Sequence, residues 1–254
     1  MSALIVNYYK PERLSELEAD QHTAKGSFQL LLLSDQYSIG YAIVDQQKEV
    51  LLIREYQNSA QESFSNFIRQ ILTSDQYLQK PFQRVTIGVA NKRISLVPRQ
   101  IYDETQAIHY LENTTPIWAT DQVLTDKILK EEIYLVYAYR KSSLHTFQEQ
   151  WPEAHFHHSL SCYLQMLRKW TNLLPGGHHV FVNARHNSLY ISLFRSDELV
   201  YANIYDFTTI EDFLYYIILI YKEFQLDTHV VPLLLTGKID TGSRMYNLIY
   251  RYIT

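Results

Sequence analysis

Five histidines are the residues of this chain whose types and spacing could hold a metal ion. His155, His157 and His158 lie in one short stretch, and His178 and His179 follow a Pro-Gly-Gly sequence. Imidazole nitrogens are common ligands of Zn²⁺, and two of the first three histidines could share one face of a strand. Neighbouring residues of a strand point to opposite faces, however, and no thiol or carboxylate spacing supports the histidines. We therefore predict surface or interdomain histidines and no metal site.

A nucleophilic side chain is the second chemistry to consider. The single cysteine, Cys162, lies in the apolar helical pattern SLSCYLQMLRKW, with no evident basic neighbour to lower the pKa of its thiol. This pattern predicts a small buried core side chain. A lone cysteine cannot form an internal disulfide, which fits a reducing compartment. No G-x-S-x-G sequence supports a catalytic serine, so the serines are interpreted as turn and cap residues.

Composition limits the classes of protein that this chain can belong to. It has 254 residues, of which 46% are hydrophobic and 20% charged, with a formal charge of −4. Such a chain can bury a full core, which excludes global disorder, and its acidic balance argues against a nucleic-acid partner. The longest apolar run, Phe213–Tyr221, is shorter than the ~20 residues of a membrane span. No secretory signal opens the sequence, so we expect a soluble cytoplasmic protein without a membrane partner.

The elements that must position any site residues repeat once along the chain. Phe28–Gln57 and His178–Phe207 each read as strand, polar break, strand, polar turn and strand, at a constant offset of 150 residues that places Ser38 on Ser188. Each stretch is followed by a helical pattern, the first over Ser63–Ser74. A three-stranded meander that recurs with its helix predicts a duplicated domain.

Proline and glycine divide the chain between the two repeats. Pro175, Gly176 and Gly177 form the best candidate boundary. We predict a first half over residues 1–175, with an N-terminal arm and a middle insertion, and a shorter second half over residues 176–254. Further elements are predicted as strands at Arg84–Ala90, Arg93–Pro98, Ile133–Tyr139, His155–His158 and Val230–Leu235, and as helices at Ser142–Trp151, Ser161–Leu174, Ile210–Gln225 and Ser243–Ile253.

A meander of three strands followed by helix, strand and helix is the ribonuclease-H-like order, and two such halves resemble the actin-like ATPase superfamily. This superfamily includes sugar kinases, heat-shock ATPases and pilus-assembly ATPases, and the chain looks closest to an uncharacterised bacterial family of actin-like fold. The resemblance covers Phe28 to the C-terminus. The expected fold class is α/β, with two ribonuclease-H-like halves in the actin-like ATPase architecture.

The resemblance implies that a nucleotide lies in a cleft between the halves, with a phosphate at the first hairpin of each half. In the first half, Asp35 matches the acidic residue that holds Mg²⁺ or orients water, and Ser34 and Ser38 could contact a phosphate. The tight turn of this hairpin has no glycine, because Gly40 lies inside the next strand. The alternative is a polar hairpin tip with a solvated Asp35.

The second half departs further from the superfamily pattern. Its hairpin, Asn183–Ser188, has no carboxylate and no glycine, and Arg185 is its candidate for contacting an anion. The turn that would hold adenosine survives in part as Thr236, Gly237 and Lys238, with one glycine where family members usually have a pair. The whole chain has only seven glycines, which is few for a backbone that must approach a triphosphate closely.

Three hypotheses for function follow from these residues. The preferred one is a pseudo-ATPase, a binding or scaffold protein without a cofactor that has a protein partner or associates with itself. The 21 tyrosines favour an interaction surface as a minority interpretation. The alternative is a divergent ATPase or kinase that binds ATP and Mg²⁺ in the cleft through the candidate residues above. The third, a ribonuclease-H-type nuclease, would need several acidic residues at one sheet edge to hold two metal ions. Asp35, Asp45 and Glu55 lie on one meander, but the duplication and the acidic balance count against a nuclease.

Overall fold

The computed structural model describes residues 4–9, 28–58, 63–128, 130, 132–185 and 187–253. By its packing the chain divides into two compact units, Met1–Cys162 and Tyr163–Thr254. The division falls inside a helix, ahead of Pro175, and the boundary at residue 175 stays a prediction. In chain order the elements are β1 (Leu4–Tyr9), β2 (Gln29–Ser34), β3 (Ser38–Val44), β4 (Val50–Gln57), α1 (Phe64–Ser74), β5 (Arg84–Val89), β6 (Ile94–Pro98), α2 (Ala107–Glu112), β7 (Asp121–Ile128), β8 (Ile133–Arg140), α3 (Lys141–Gln150), β9 (His155–His158), α4 (Ser159–Thr171), β10 (His178–Ala184), β11 (Ser188–Arg195), β12 (Glu198–Asp206), α5 (Ile210–Glu223), β13 (Leu233–Gly237) and α6 (Arg244–Tyr250).

The first unit is built on a six-stranded mixed sheet in the order β1-β4-β3-β2-β5-β9. Neighbouring strands are antiparallel from β1 through β4 and β3 to β2. They are parallel from β2 through β5 to β9. α1 supports this sheet: its N-cap Ser63 accepts a hydrogen bond from the Asn66 amide, and its apolar stripe is buried. The predicted meander and helix are confirmed, with shifts of one residue at several ends. The predicted N-terminal arm contains β1, and its remainder lies outside the described residues.

A smaller antiparallel sheet of the first unit has the strand order β6-β8-β7. Its core consists of Val97, Leu111, Val136 and Ala138. β7 was not predicted, because DQVLTDKI alternates weakly and carries three charges. Arg93 binds the buried Asp121 at the start of β7, with Nη1 to Oδ1 at 2.9 Å, and its guanidinium stacks 4.3 Å from the Trp118 ring. Burial opposes ionisation of Asp121, but the hydrogen bonds from Arg93 and the Trp118 amide outweigh it and lower the pKa of Asp121.

The second unit contains a four-stranded sheet in the order β12-β11-β10-β13. α5 packs against it and begins with a capping box, in which Thr209 and Asp212 each accept a hydrogen bond from the backbone amide of the other. β13 starts at Leu233, three residues after the predicted start of that strand at Val230. The amides of Val230 and Val231 instead close a turn on the carbonyl of Asp227, and Pro232 has no amide hydrogen for a strand ladder.

The two sheets share one geometry. Leu30 of β2 pairs with Ile43 of β3, and Val180 of β10 pairs with Leu193 of β11, so the registers match at an offset of 150 residues. A register shift follows Ile43 in one sheet and Leu193 in the other, where each middle strand meets the third strand. β2 and β10 each have a parallel neighbour on the other side, β5 and β13. The fold therefore has the two meanders that the sequence predicts, and duplication as their origin stays a prediction.

Asp75, at the C-terminal end of α1, is the buried charge that joins this helix to the first sheet. Its Oδ2 accepts hydrogen bonds from the hydroxyls of Tyr41 and Tyr56, each at 2.5 Å, and Arg54 Nη1 lies 3.2 Å from both carboxylate oxygens. Its Oδ1 also accepts the amide of Tyr77 at 2.9 Å. Burial and the Asp75 carboxylate raise the pKa of both hydroxyls, so both stay protonated as donors.

Within the residues that the structure describes, every helix is too short or too polar to cross a lipid bilayer.

Asp75→Ala should destabilise the protein by about 3–5 kcal/mol, because it leaves the half-buried Arg54 and two buried hydroxyls without their acceptor. Tyr56→Phe removes only one of these bonds and should cost about 1 kcal/mol. Urea unfolding of both variants measures the difference. Equal midpoints for the two variants would show that Asp75 does not stabilise the fold in this way.

Candidate functional site

The hairpin between β2 and β3 holds the first group of predicted site residues. Asp35 Oδ1 accepts hydrogen bonds from the backbone amides of Tyr37 and Ser38, both at 2.7 Å. Its Oδ2 accepts the Ser38 hydroxyl at 2.8 Å, and the Asp35 amide donates to the Ser38 carbonyl at 3.0 Å. The carboxylate therefore closes its own turn, as Asx turns do. Asp35 therefore lies at a polar hairpin tip, where its side chain is half-buried and bonded to its own turn.

Ser34, the neighbouring candidate, is held by the protein as well. Its hydroxyl lies 2.9 Å from the hydroxyl of Tyr139 in a buried hydrogen bond, and its carbonyl accepts the Ala90 amide at 2.8 Å. Burial raises the pKa of Tyr139, so this phenol stays protonated. Ser34 and Ser38 are both buried, and both hydroxyls have protein partners where the resemblance implies a phosphate.

The second group of candidates lies at the ends of β10 and β13. Parallel pairing sets Asn183 beside Thr236 and Ala184 beside Gly237, which brings Arg185 and Lys238 to the same end of this sheet. Arg185 continues the hairpin, with its amide bonded to the Ser188 carbonyl at 2.9 Å. The Arg185 guanidinium lies 6.0 Å from the centre of the Tyr190 ring, at the limit of a cation–π contact.

Side-chain and backbone hydrogen bonds fasten the Thr236–Gly237 turn to β10. The Thr236 hydroxyl accepts Asn183 Nδ2 at 2.9 Å, donates to the Val182 carbonyl at 3.2 Å and lies 3.1 Å from the Tyr163 hydroxyl. The Lys238 amide then donates to the Ala184 carbonyl at 2.7 Å.

Gly237 is required here for a geometric reason. Its φ is +89°, and an added Cβ would lie 2.1 Å from the carbonyl oxygen of Ala184. A side chain cannot occupy that space, and L residues rarely adopt this φ. The backbone of Gly237 therefore lies too close to Ala184 for any side chain to fit between them.

Comparison with known proteins gives the chain its family. A family model described as "Protein of unknown function (DUF3822)" matches residues 18–254. The chain belongs to this family. No curated protein matches it in sequence.

Two solved structures share the fold of this DUF3822 protein. A Bacteroides thetaiotaomicron protein, described as having an actin-like ATPase fold and unknown function, is 19% identical and superposes with a TM-score of 0.83, covering 89% of this chain and 88% of its own. A chain of the PilM–PilN type IV pilus biogenesis complex is 12% identical, with a TM-score of 0.57 and coverage of 89% and 85%. At such identities the likeness shows the fold alone, and that fold is the predicted actin-like ATPase architecture.

Two of the five histidines of this DUF3822 protein, His158 and His179, are buried rather than at the surface. His158 Nε2 lies 2.9 Å from the carbonyl of Asn91, and its Nδ1 accepts the Leu160 amide at 3.1 Å, which fixes a neutral ring protonated on Nε2. Among the described residues, no three His, Cys, Asp or Glu side chains come together as metal ligands would.

Asp126 is a residue that the sequence did not single out. Its Oδ1 accepts His157 Nδ1 at 3.0 Å, and its Oδ2 accepts the His158 amide at 2.6 Å. These bonds fasten β7 of the small sheet to β9 of the large one, and the bond with Asp126 raises the pKa of His157. A partner 31 positions away in sequence leaves no local signal that could have found it.

Cys162 is exposed, contrary to the predicted buried thiol. Its neighbours Leu160, Leu164 and Leu167 are fully buried and form one stripe of α4. At 100° per residue, position 162 lies on the side of the helix opposite that stripe.

Gly237→Ala should destabilise the protein by more than about 3 kcal/mol, because the strained φ and the clash with Ala184 add together. Gly242→Ala is the matched control: its φ is +86°, yet nothing lies within 4 Å of an added Cβ. That variant should lose only about 1–2 kcal/mol, the cost of the left-handed backbone. Thermal unfolding of both variants checks this, and equal losses would refute the close approach at Gly237.

Asp35→Ala should cost about 1–2 kcal/mol, because three hydrogen bonds to the carboxylate disappear. Asp35→Asn should cost less, since its Oδ1 can still accept the amides of Tyr37 and Ser38. Amide hydrogen exchange at these two residues should accelerate in Asp35→Ala and change little in Asp35→Asn. Unchanged exchange in both variants would show that the carboxylate does not close this turn.

Proposed function

We propose that this DUF3822 protein is a non-catalytic member of the actin-like fold that acts by binding another protein. The observation that carries the proposal is the bonding of Asp35 to the Tyr37 and Ser38 amides. An anion that binds a hairpin does so through closely spaced backbone amides. In this hairpin the Asp35 carboxylate already takes those amides.

A nucleotide phosphate would meet two obstacles at this turn. It would have to displace three short hydrogen bonds to Asp35, and it would face a negative charge at close range, which is unfavourable. Catalysis of phosphoryl transfer rests on positioning and on charge stabilisation by Mg²⁺ and basic groups. An Asp35 that orders its own turn supplies neither positioning nor charge stabilisation to a substrate.

The candidates of the second unit support the same proposal. Thr236 makes its hydrogen bonds to Asn183 and Val182, and the Lys238 amide is bonded to the Ala184 carbonyl. These contacts hold the turn against β10, so the groups that would receive adenosine have protein partners. Gly237 is then explained by packing without a ligand.

Exposed apolar side chains and one protein of the same fold support protein binding. Large apolar side chains with more than half of their area exposed include Tyr37, Ile101, Trp118, Leu173, Tyr215, Val230, Tyr250 and Tyr252. Tyrosine and tryptophan are enriched at protein interfaces. The pilus protein of the same fold was solved in a complex with another protein. A formal charge of −4 disfavours nucleic acid as the partner, and the single cysteine fits a cytoplasmic location.

A divergent ATPase or kinase is the second candidate, and two features favour it. Asp35 directly follows β2, where the superfamily holds its acidic residue, and Lys238 directly follows Gly237, the last residue of β13. This candidate requires that nucleotide binding rebuild the hairpin of Asp35.

Thermal unfolding with ATP or ADP, with and without Mg²⁺, separates the two candidates. A nucleotide at 100 times its Kd stabilises the native state by about 2.7 kcal/mol, which raises the Tm of a chain of this size by roughly 5–10 °C. The proposal predicts no nucleotide-dependent change beyond that of Mg²⁺ alone. A magnesium-dependent rise that Lys238→Met abolishes would contradict the proposal and establish the ATPase candidate.

A further inference from the structure

One buried carboxylate joins the small sheet of the first unit to the large one. Asp126 lies on β7, the last strand in the order of the small sheet, and His157 lies on β9, the last strand in the order of the large sheet. The side chain of Asp126 is 5% exposed, whereas that of His157 is 43% exposed. The bond between them, 3.0 Å long, therefore has one partner shielded from water and one partner that can exchange protons with it.

The strength of this bond depends on the charge of the His157 ring. A carboxylate can only accept, so His157 Nδ1 carries a hydrogen and donates it to Asp126, and the ring gains or loses its second proton at Nε2. With that proton the contact is an ion pair, and without it the contact is a hydrogen bond from a neutral ring. Charge-assisted hydrogen bonds are about twice as strong as neutral ones.

The titratable groups on the neighbouring elements act on His157 in opposite directions. The hydrogen bond with Asp126 and the charge of that carboxylate raise the pKa of His157, and together they outweigh desolvation and the positive charge of Arg84 on β5. Desolvation and the charge of Asp126 also raise the pKa values of the Cys162 thiol on α4 and the Tyr137 hydroxyl on β8, so both groups are uncharged near neutral pH. Histidine therefore changes its charge here while its neighbours keep theirs.

The nearest titratable groups on β7 and β9 themselves leave this balance unchanged. The His158 ring is held neutral by its bonds to the Asn91 carbonyl and the Leu160 amide. His155 shares a face of β9 with His157 but is exposed to water. Lys127 follows Asp126 on β7, so it points to the opposite face, where it lies 5.9 Å from the centre of an aromatic ring.

Two further polar contacts hold the small sheet, and neither changes charge near neutral pH. The Tyr139 hydroxyl of β8 lies 2.9 Å from the Ser34 hydroxyl of β2, and Asn91 Nδ2 donates to the carbonyl of Ala138 on β8 at 2.9 Å. Both contacts hold β8. A loss of charge on the His157 ring should therefore loosen β7 and leave β8 in place.

We propose that the bond between His157 and Asp126 is a pH-dependent connection between the two sheets of the first unit. A protonated His157 ring holds β7 firmly on β9, and a ring that has lost this proton lets β7 open more often. The inference concerns the regulation of the fold, and it does not depend on whether the protein binds another protein or a nucleotide.

The direction of the pH dependence follows from the raised pKa of His157. The contribution of the ion pair to native stability is fully present below the ordinary pKa of histidine, about 6.5. It is lost as the pH rises through the higher pKa of the folded state. β7 should therefore be held most firmly in weakly acidic solution.

Nuclear magnetic resonance of the full-length chain with isotopically labelled histidines measures the pKa of His157 directly. Hydrogen exchange between pH 6 and 8.5 gives the protection factor of the His158 amide, which donates to Asp126 Oδ2 at 2.6 Å. This protection factor, corrected for the intrinsic effect of pH on exchange, should fall about threefold or more over that range. The β8 amides that pair with β6 should keep theirs. Asp126→Asn should return the pKa of His157 toward about 6.5.

Two glutamine variants separate the connection from other effects of pH. His157→Gln keeps a side-chain donor for Asp126 but has no charge to lose, so protection of the His158 amide should no longer depend on pH. His109→Gln is the matched control, because His109 pairs with Glu112 at 2.9 Å within α2 and joins no two sheets. That variant should keep the pH dependence of the wild type. His157→Gln also keeps the test decisive if Asp126→Asn fails to fold.

Four results would overturn the connection. They are a pKa of His157 at or below about 6.5, a protection factor of the His158 amide that does not change with pH in the wild type, a pH dependence that survives in His157→Gln, and a pH dependence that His109→Gln abolishes.

Discussion

The Asp35 carboxylate is bonded to the backbone of its own hairpin, and the function that we propose depends on this interaction. Backbone amides that are not bonded to other protein groups bond to water, and in this turn Asp35 is the acceptor for both Tyr37 and Ser38. An acceptor that is part of the chain is always present, whereas a nucleotide phosphate would have to compete with it. Under the function that we propose, the hydrogen bonds that stabilise this turn occupy the amides that a phosphate would need.

The two meanders have the same topology, but different contacts stabilise the turns at the ends of their strands. Where the first closes its hairpin with a carboxylate, the second brings the backbone of Gly237 against Ala184 and bonds Lys238 to the same carbonyl. The sheets also differ at the outer edge, since β1 covers β4 and no matching strand among the described residues covers β12.

Hydrophobic periodicity was enough to predict the meanders, α1 and α5, because strands and helices of a core repeat their apolar residues locally. Hydrophobic periodicity could not predict contacts between residues that lie far apart along the chain. Tyr41 and Asp75 are 34 positions apart, and no sequence spacing relates β7 to the histidines of β9. The Asp35 hairpin was located from the sequence, but whether its carboxylate faces solvent or its own amides depends on the torsion angles of four residues. The exposure of Cys162 could have been predicted from the sequence, since position 162 lies opposite the leucine stripe of α4.

Release of phosphate from ATP by the purified chain with Mg²⁺, measured beside the Asp35→Asn variant, tests most directly whether Asp35 serves the turn or a substrate. A catalytic acidic residue contributes through its charge, so its amide variant loses turnover while the hairpin survives. Our account predicts that phosphate release by the wild type equals that of Asp35→Asn and that of a protein-free sample. Turnover by the wild type that Asp35→Asn abolishes would contradict it.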